Sequence, residues 1–389
     1  MVRKKGPVWK HFLIINNKNN SHPHVRCKYC FKEFKRAIPE RMQDHLNKKM
    51  CQPPNNTGPQ SIQQNTTLIN DNFNNHLSEE EQNSLKLQHG KVKIQMNDNS
   101  DNNFSGLRHL GYCYQHGIET EKNEIKAFEL YEAAAEKGDI DSIYQLGYCY
   151  QHGIGTEKNE IKAFELYKAS ADMGHVVSTY NLGKCYENGI GIEKNDNEAF
   201  KLYEKAAEKG HIISIYNLGK CYSCGIGIEY NKIKAFELYK KAADKEHLDS
   251  IYQLGFCYLF GTGTEENVIK AFELYTKAAD KDHLDSINIL GFCYHYGIGT
   301  EASEIKALEL YKKASDKGHL DSMYKLGNCY LFGIGTEANE IKALELYKKA
   351  SDKGHLDSMY RLGDCYLFGI GTEANDIKAL ELYQKVSGR

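Results

Sequence analysis

LGYCYQHGIGTEKNEIKAFELYKASADMGHVVSTYN, residues 146–181, is one period of a repeat that fills most of the chain. The Leu-Gly that opens it recurs at Leu110, Leu146, Leu182, Leu218, Leu254, Leu290, Leu326 and Leu362, each step being 36 residues with no insertion. A fixed period of this size marks stacked supersecondary units, each too small to bury its own apolar face. Two helices fit in each copy. Helix A is expected over about 142–152, where Leu146, Cys149 and Tyr150 fall at i, i+3 and i+4 as one apolar stripe. Gly153 ends it and Gly155 allows a tight turn. Helix B is expected over about 160–172, with Ala163, Leu166, Tyr167 and Ser170 as its stripe. Asn159 is a good N-cap, because its side chain accepts from the free first-turn amides, and all eight copies place Asn or Ser there. Gly174 suits the left-handed position that ends helices. No Pro interrupts either helix in any copy.

Outside the repeats the composition changes. All six Pro and the single Trp, Trp9, lie in the first 60 residues of the 389. The net charge of −2 hides an asymmetry: residues 1–52 hold 13 Lys/Arg against Glu33, Glu40 and Asp44, so the remainder is acidic. A basic head on an acidic body points to two different partners. At 41% hydrophobic and 26% charged the chain reads as globular, neither collagenous nor membrane-spanning. The longest early apolar run, residues 12–15, is too short for a signal-peptide core or a membrane helix. The 12 Cys are therefore expected in a reducing compartment, as free thiols or metal ligands. Residues 52–103 hold 12 Asn and 7 Gln with few large apolar groups, and 53–103 reads as a disordered linker. Within it, residues 78–81 form a capping-box pattern that could open a short helix.

The pattern G-x-x-Y-x-x-G followed by K-A-x-x-L-Y-x-K-A-A-x-x-G-H resembles the Sel-one-like repeat, a relative of the tetratricopeptide repeat, over 104–389. The resemblance implies an all-α fold, a right-handed α-solenoid of eight 36-residue helix pairs that scaffolds protein partners without catalysis of its own. Ser142, Ser178, Ser214, Ser250, Ser286, Ser322 and Ser358 stand where the family usually has Ala, a small-for-small change.

The head carries metal-ligand spacing. Cys27-Lys28-Tyr29-Cys30 is followed by His45 and then Cys51, a knuckle and helix whose four donors can converge tetrahedrally on one Zn2+. His22 and His24 are rival donors with poorer spacing. Pro39 suits the first turn of the ligand helix. With Trp9 and Phe12 as the aromatic pair, residues 6–52 are similar to the BED-type zinc finger, which implies a small ββα-type module that binds DNA. A segment of this size buries too little apolar area to fold unaided, so the zinc is structural, and metal binding supplies roughly 10–16 kcal/mol in finger peptides. Lys32, Lys35, Arg36, Arg41, Lys48 and Lys49 flank the ligand helix and can neutralise phosphates, while the helix can enter a major groove. The alternatives are a solvated cationic face, or a finger that binds protein or RNA.

Several recurring residues have plain structural readings. Cys113, Cys149, Cys185, Cys221, Cys257, Cys293, Cys329 and Cys365 read as buried core thiols, since equivalent positions in adjacent copies lie too far apart for disulfides. His175, His211, His247, His283, His319 and His355 follow helix B and are expected to interact with its C-terminal carbonyls. No nucleophile–base pair stands out, which argues against an enzyme or a small-molecule substrate. The end of helix A changes along the chain, from His116, His152, Asn188 and Cys224 to Phe260, Tyr296, Phe332 and Phe368. These aromatics are either inter-repeat core or an exposed partner-binding strip. The chain stops at Arg389 without a polar capping helix, an arrangement that would favour self-association. The expectation is a nuclear, zinc-dependent DNA-binding adaptor whose solenoid recruits protein; the rival is a cytoplasmic scaffold.

Overall fold

Helix length in each repeat is set by local chemistry at both ends. The computed structural model describes residues 12–16, 24–27, 33–34 and 103–388. Eight A helices run over α1 (Asn103–His116), α3 (Ile140–His152), α5 (Val176–Asn188), α7 (Ile212–Cys224), α9 (Leu248–Phe260), α11 (Leu284–Tyr296), α13 (Leu320–Phe332) and α15 (Leu356–Phe368). Eight B helices alternate with them: α2 (Glu124–Glu136), α4 (Glu160–Asp172), α6 (Asp196–Glu208), α8 (Lys232–Ala243), α10 (Val268–Asp280), α12 (Glu304–Asp316), α14 (Glu340–Asp352) and α16 (Asp376–Ser387). The chain divides into two units, Met1–Ser142 and Ile143–Arg389.

In the first unit, β1 (Phe12–Asn16), β2 (His24–Cys27) and β3 (Glu33–Phe34) form an antiparallel sheet in that order, with Phe12 opposite Cys27 and Val25 opposite Phe34. Helices α1 and α2 form the first repeat. Tyr131, fully buried, packs on Gly111, where a Cβ would lie 2.8 Å from the ring. Arg108 binds Asp139 at 3.1 Å and also Asp141. Asp139 accepts from the backbone N–H and hydroxyl of Ser142, closing the first turn of α3.

The second unit repeats one packing scheme. Each B helix starts on the predicted Asn or Ser: Asn159 Oδ1 accepts from Lys162 N at 3.0 Å, and Asn195 and Asn231 do the same for Glu198 and Lys234. The bounds of α4 are those the sequence predicts. Helix α3 begins two residues earlier than predicted, because the residue before it is itself a cap. Within each hairpin the B-helix Tyr lies against the Gly of Leu-Gly. A Cβ on Gly147, Gly219 or Gly291 would sit 2.9, 2.8 or 2.8 Å from the Tyr167, Tyr239 or Tyr311 ring. Between hairpins, B-helix Phe meets the next A-helix Tyr edge to face: Phe164–Tyr186, Phe200–Tyr222 and Phe236–Tyr258 each have centroids 5.5 Å apart. Leu308 and Leu344 replace Phe in the later repeats and line the same seams. Gly191 lets the A–B turn lie directly on the first turn of α4, where a Cβ would overlap the Glu160 carbonyl.

Two turns depart from the rule. B helices end on a left-handed residue, Gly at Gly174, Gly210, Gly318 and Gly354, but Glu246 and Asp282 hold φ of 64° and 62° there. A side chain in this region costs about 1–2 kcal/mol. Lys281 binds Glu246 at 2.6 Å, and Lys313 and Lys317 bind Asp282 at 2.9 and 2.8 Å. Those lysine contacts hold the exposed Asp282 carboxyl down to about 2. Exposed pairs of this kind return only about 0–1 kcal/mol. Glu246→Gly is therefore expected to raise the urea midpoint of the repeats. Gly219→Ala is expected to lower it by about 1–3 kcal/mol, since the Tyr239 ring is held from all sides and has little room to yield.

Candidate functional site: a shared face of the A helices

Residues at i, i+3 and i+7 share one face of an α-helix. On the A helices of the second unit that face reads Gln145/Tyr148/His152, Asn181/Lys184/Asn188 and Asn217/Lys220/Cys224, then Gln253/Phe256/Phe260, Ile289/Phe292/Tyr296, Lys325/Asn328/Phe332 and Arg361/Asp364/Phe368. It changes from polar and basic to aromatic and then gains two cations. Phe332 and Phe368 are 60% and 70% exposed, and Phe256 is 40% exposed. Phe260 and Tyr296 are half-buried, each against a ring one turn earlier: Phe256–Phe260 at 4.4 Å and Phe292–Tyr296 at 4.7 Å. Leu259 is core, Leu331 half-buried and Leu367 exposed. The aromatic series thus contributes to packing at its start and faces solvent at its end.

The change to apolar residues leaves a mark in the core. The B-helix Tyr hydroxyl is satisfied by the neighbouring A helix: Tyr167 donates to Gln151 at 2.7 Å, Tyr347 to Asn328 at 2.7 Å and Tyr383 to Asp364 at 2.8 Å. In the fifth repeat the two acceptor positions are Phe256 and Leu259, and the fully buried Tyr275 hydroxyl has no partner among the described residues. An orphaned buried hydroxyl costs about 1–3 kcal/mol.

Lys325 carries the other irregularity. Its Nζ lies 5.5 Å from the Phe292 centroid and 5.6 Å from that of Tyr311, with no carboxylate in salt-bridge range. Burial pushes its pKa down to about 8, against the opposing pull of Asp321. At the equivalent place Arg361 reaches Asp364 at 3.4 Å.

The histidines do more than the sequence reading predicted. Their backbone N–H groups bond the helix B carbonyls, as His319 N does to Ala314 O at 3.0 Å, while their side chains, carried on extended backbone, cap the A helix that follows. His319 Nδ1 accepts from Ser322 N at 3.2 Å, and Nε2 lies 3.1 Å from Asp285 of the preceding repeat. His283 and His355 repeat this with Ser286 and Asp249, and with Ser358 and Asp321. Because Nδ1 faces a backbone donor, the neutral ring carries its proton on Nε2 and donates it to the carboxylate. The serines are therefore more than small residues: Ser322 Oγ lies 2.8 Å from His319 Nδ1. Asp285, His319 and Ser322 form a carboxylate–imidazole–hydroxyl chain that the sequence reading missed. Its signal is His-Leu-Asp-Ser recurring every 36 residues, but only stacking shows that the Asp serves the next copy's His. Ser286, Ser322 and Ser358 are fully buried, so no substrate carbonyl can reach them. Cys113 is half-buried, but the other seven repeated thiols are closed: burial pushes Cys185, Cys221, Cys257, Cys293 and Cys329 up to about 12.

Among the described residues no group of three or more His, Cys, Asp or Glu could hold a metal ion, and no helix is long and apolar enough to cross a membrane. Of the finger residues, Phe12 lies in β1 and Cys27 ends β2. Trp9, Cys30, His45, Cys51, Lys32, Lys35, Arg36, Arg41, Lys48 and Lys49 lie outside the described residues, as does the linker up to residue 102.

Helix pairs stacked in register, each seated Tyr on Gly, define an α-solenoid built from one repeat. The repeat is the Sel1 repeat, which matches residues 105–139, 140–175, 176–211, 212–247, 248–283, 284–319, 320–355 and 356–386; the chain belongs to that family. Among solved structures it is similar to a protective antigen of uropathogenic Escherichia coli with an SLR fold, at 29% identity and a TM-score of 0.61 over 79% of this chain. The match spans 64% of that antigen, less than two thirds of its length. A Sel1 repeat protein from Oxalobacter formigenes matches at 27% identity and a TM-score of 0.58, over 63% of this chain and 96% of its own. No curated protein matches the chain.

The junction chemistry has a pH signature. The hydrogen bond from His355 holds the Asp321 carboxyl below its ordinary value, so its stabilisation is present above that value and is lost as pH falls through the carboxylate range. Asp321→Asn is expected to lower the denaturant midpoint at pH 7, and the gap to wild type should shrink as pH falls below the ordinary aspartate value.

Proposed function

We propose that this chain is an interaction scaffold that recruits a protein partner to DNA. The solenoid engages the partner through the aromatic end of its A-helix face, at Phe260, Tyr296, Phe332 and Phe368. The single observation that carries this reading is the exposure of Phe332 and Phe368, 60% and 70%, on one continuous face. Rings that are mostly exposed contribute little to the core and much to interfaces. The orphaned Tyr275 hydroxyl supports it, since apolar residues are kept on this face where a polar one would satisfy a buried donor. The test is Phe332→Ser combined with Phe368→Ser: partner recovery should fall at an unchanged melting temperature. A melting temperature lowered by several degrees, with partner recovery kept, would refute the strip.

The N-terminal segment is proposed as the DNA-docking part, acting in the nucleus. Its donor set of three thiols and one imidazole, Cys27, Cys30, Cys51 and His45, fits one tetrahedral structural zinc. Cys27 ends a strand, which suits a knuckle turn immediately after it. The basic residues Lys32, Lys35, Arg36, Arg41, Lys48 and Lys49 supply phosphate contacts. With about five phosphates neutralised, the log–log salt slope of DNA affinity should be near −4.5. Cys27→Ser should remove the bound zinc and that affinity together, while the helical signal of the repeats persists. A slope near zero would remove the DNA reading.

A further inference from the structure

On the basis of the partner-binding reading above, we propose that the segment bound by the A-helix face is a peptide carrying a carboxylate between bulky apolar side chains, with Lys325 as the carboxylate's receptor. Three observations converge. First, Lys325, Asn328 and Phe332 share one face of α13, with Phe292 and Tyr296 of α11 on one side and Arg361 and Phe368 of α15 on the other. An anion at Lys325 would therefore lie beside the Phe292 ring, with the exposed Phe332 and Phe368 further along the same face. Second, the Lys325 ammonium is half-buried against Phe292 and Tyr311 and has no hydrogen-bond acceptor or carboxylate of its own. A charge taken out of water without a counter-ion is costly, and an incoming carboxylate removes that cost. Third, the charges around it leave it available. Asp321, one turn earlier on α13, accepts from His355 at 2.8 Å, and Cys293 and Cys329 are held neutral with their thiols pushed up to about 12. The neighbouring cation, Arg361, already has Asp364 at 3.4 Å. Lys325 is thus the one cation of the aromatic half of this face that lacks an anion among the described residues.

The polar half offers a contrast. Lys220 lies 4.0 Å from Glu187 and Lys184 lies over the half-buried Tyr180 ring at 5.9 Å, with no exposed ring beside either. The aromatic half combines exposed rings with an uncompensated ammonium, and that pairing selects for both apolar contact and negative charge.

The test uses the full chain and fluorescein-labelled twelve-residue peptides that alternate Leu with Glu, Gln or Lys, together with a dT12 oligonucleotide. The Leu/Glu peptide should bind. Lys325→Met, which keeps the stem and removes the charge, should weaken it about tenfold, and Lys325→Arg should restore most of the loss. Leu/Gln should bind as weakly to wild type as Leu/Glu does to Lys325→Met, and Leu/Lys should not bind. Affinity for Leu/Glu should also fall as pH rises through about 8, where the ammonium loses its proton. Helical signal and melting temperature of each variant show that it is folded. No binding of Leu/Glu, equal binding of Leu/Gln, or an unchanged Lys325→Met would overturn the proposal. Binding of dT12 that is lost in Lys325→Met would overturn it too, by making the anion a phosphate. If the Phe332→Ser, Phe368→Ser protein loses Leu/Gln and Leu/Glu alike while Lys325→Met loses neither, the aromatic strip stands and the carboxylate receptor falls. If none of these variants changes peptide binding, both fall.

Discussion

A Tyr ring lying on a Gly Cα is the contact on which the rest of the solenoid depends. It occurs once per hairpin, from Gly111 and Tyr131 to Gly363 and Tyr383, and a single methyl group on the Gly would lie 2.5–2.9 Å from the ring. The ring fills the gap between the two helices and fixes their separation. Small Ala residues on the B helix, such as Ala163 and Ala199, are fully buried beside it. With that spacing fixed, the next A helix meets the B helix at a constant offset, and Phe164 reaches Tyr186 with the same geometry that Phe200 uses for Tyr222. One local contact, repeated, produces the long-range order.

Because the backbone offset is constant, residues that differ between copies fall on one face. A position that is Tyr148 in one repeat is Lys184, Phe256, Phe292, Asn328 or Asp364 in others, without change in the helix that carries it. The core tolerates this as long as the buried Tyr hydroxyl finds an acceptor. Glu187 and Ser223 serve Tyr203 and Tyr239, and Asn328 and Asp364 serve Tyr347 and Tyr383 from one turn away. The fifth repeat is where this compensation fails, and it is also where the aromatic face begins. Stability and surface chemistry compete there at Phe256 and Leu259.

The junctions between later repeats are held by a different kind of contact. Asp249, Asp285 and Asp321 reach forward to His283, His319 and His355, so that a helix cap in one repeat is oriented by a carboxylate of the repeat before. Val177 and Ile213 occupy the same position in the third and fourth repeats, where no carboxylate is supplied. The later repeats therefore add these carboxylate–imidazole couplings to the apolar seams, and the aromatic face with its lone ammonium lies over the coupled repeats.

Much of this was legible in the sequence because its signals are local. The 36-residue period, the Asn at each helix B start and the Pro-free helical stripes fix helix identity, since capping and propensity act within a turn or two. The buried cysteines followed from their place on the apolar stripe. What the sequence left undecided depends on which copies touch. The serine that replaced an alanine read as a neutral change until stacking set it beside a histidine ring, and the histidine, which does bond the helix behind it through its backbone N–H, was not read as the side-chain cap of the helix ahead. The aromatic series read equally well as core or surface, because Phe260 and Phe368 occupy the same position of the repeat. Their burial differs because it is set by the side chains of the same and neighbouring repeats, such as Phe256 against Phe260 and Asp364 at the matching place in the last repeat. Local pattern determined the repeat; tertiary stacking decided which of its positions are paired, which are buried, and which remain open to a partner.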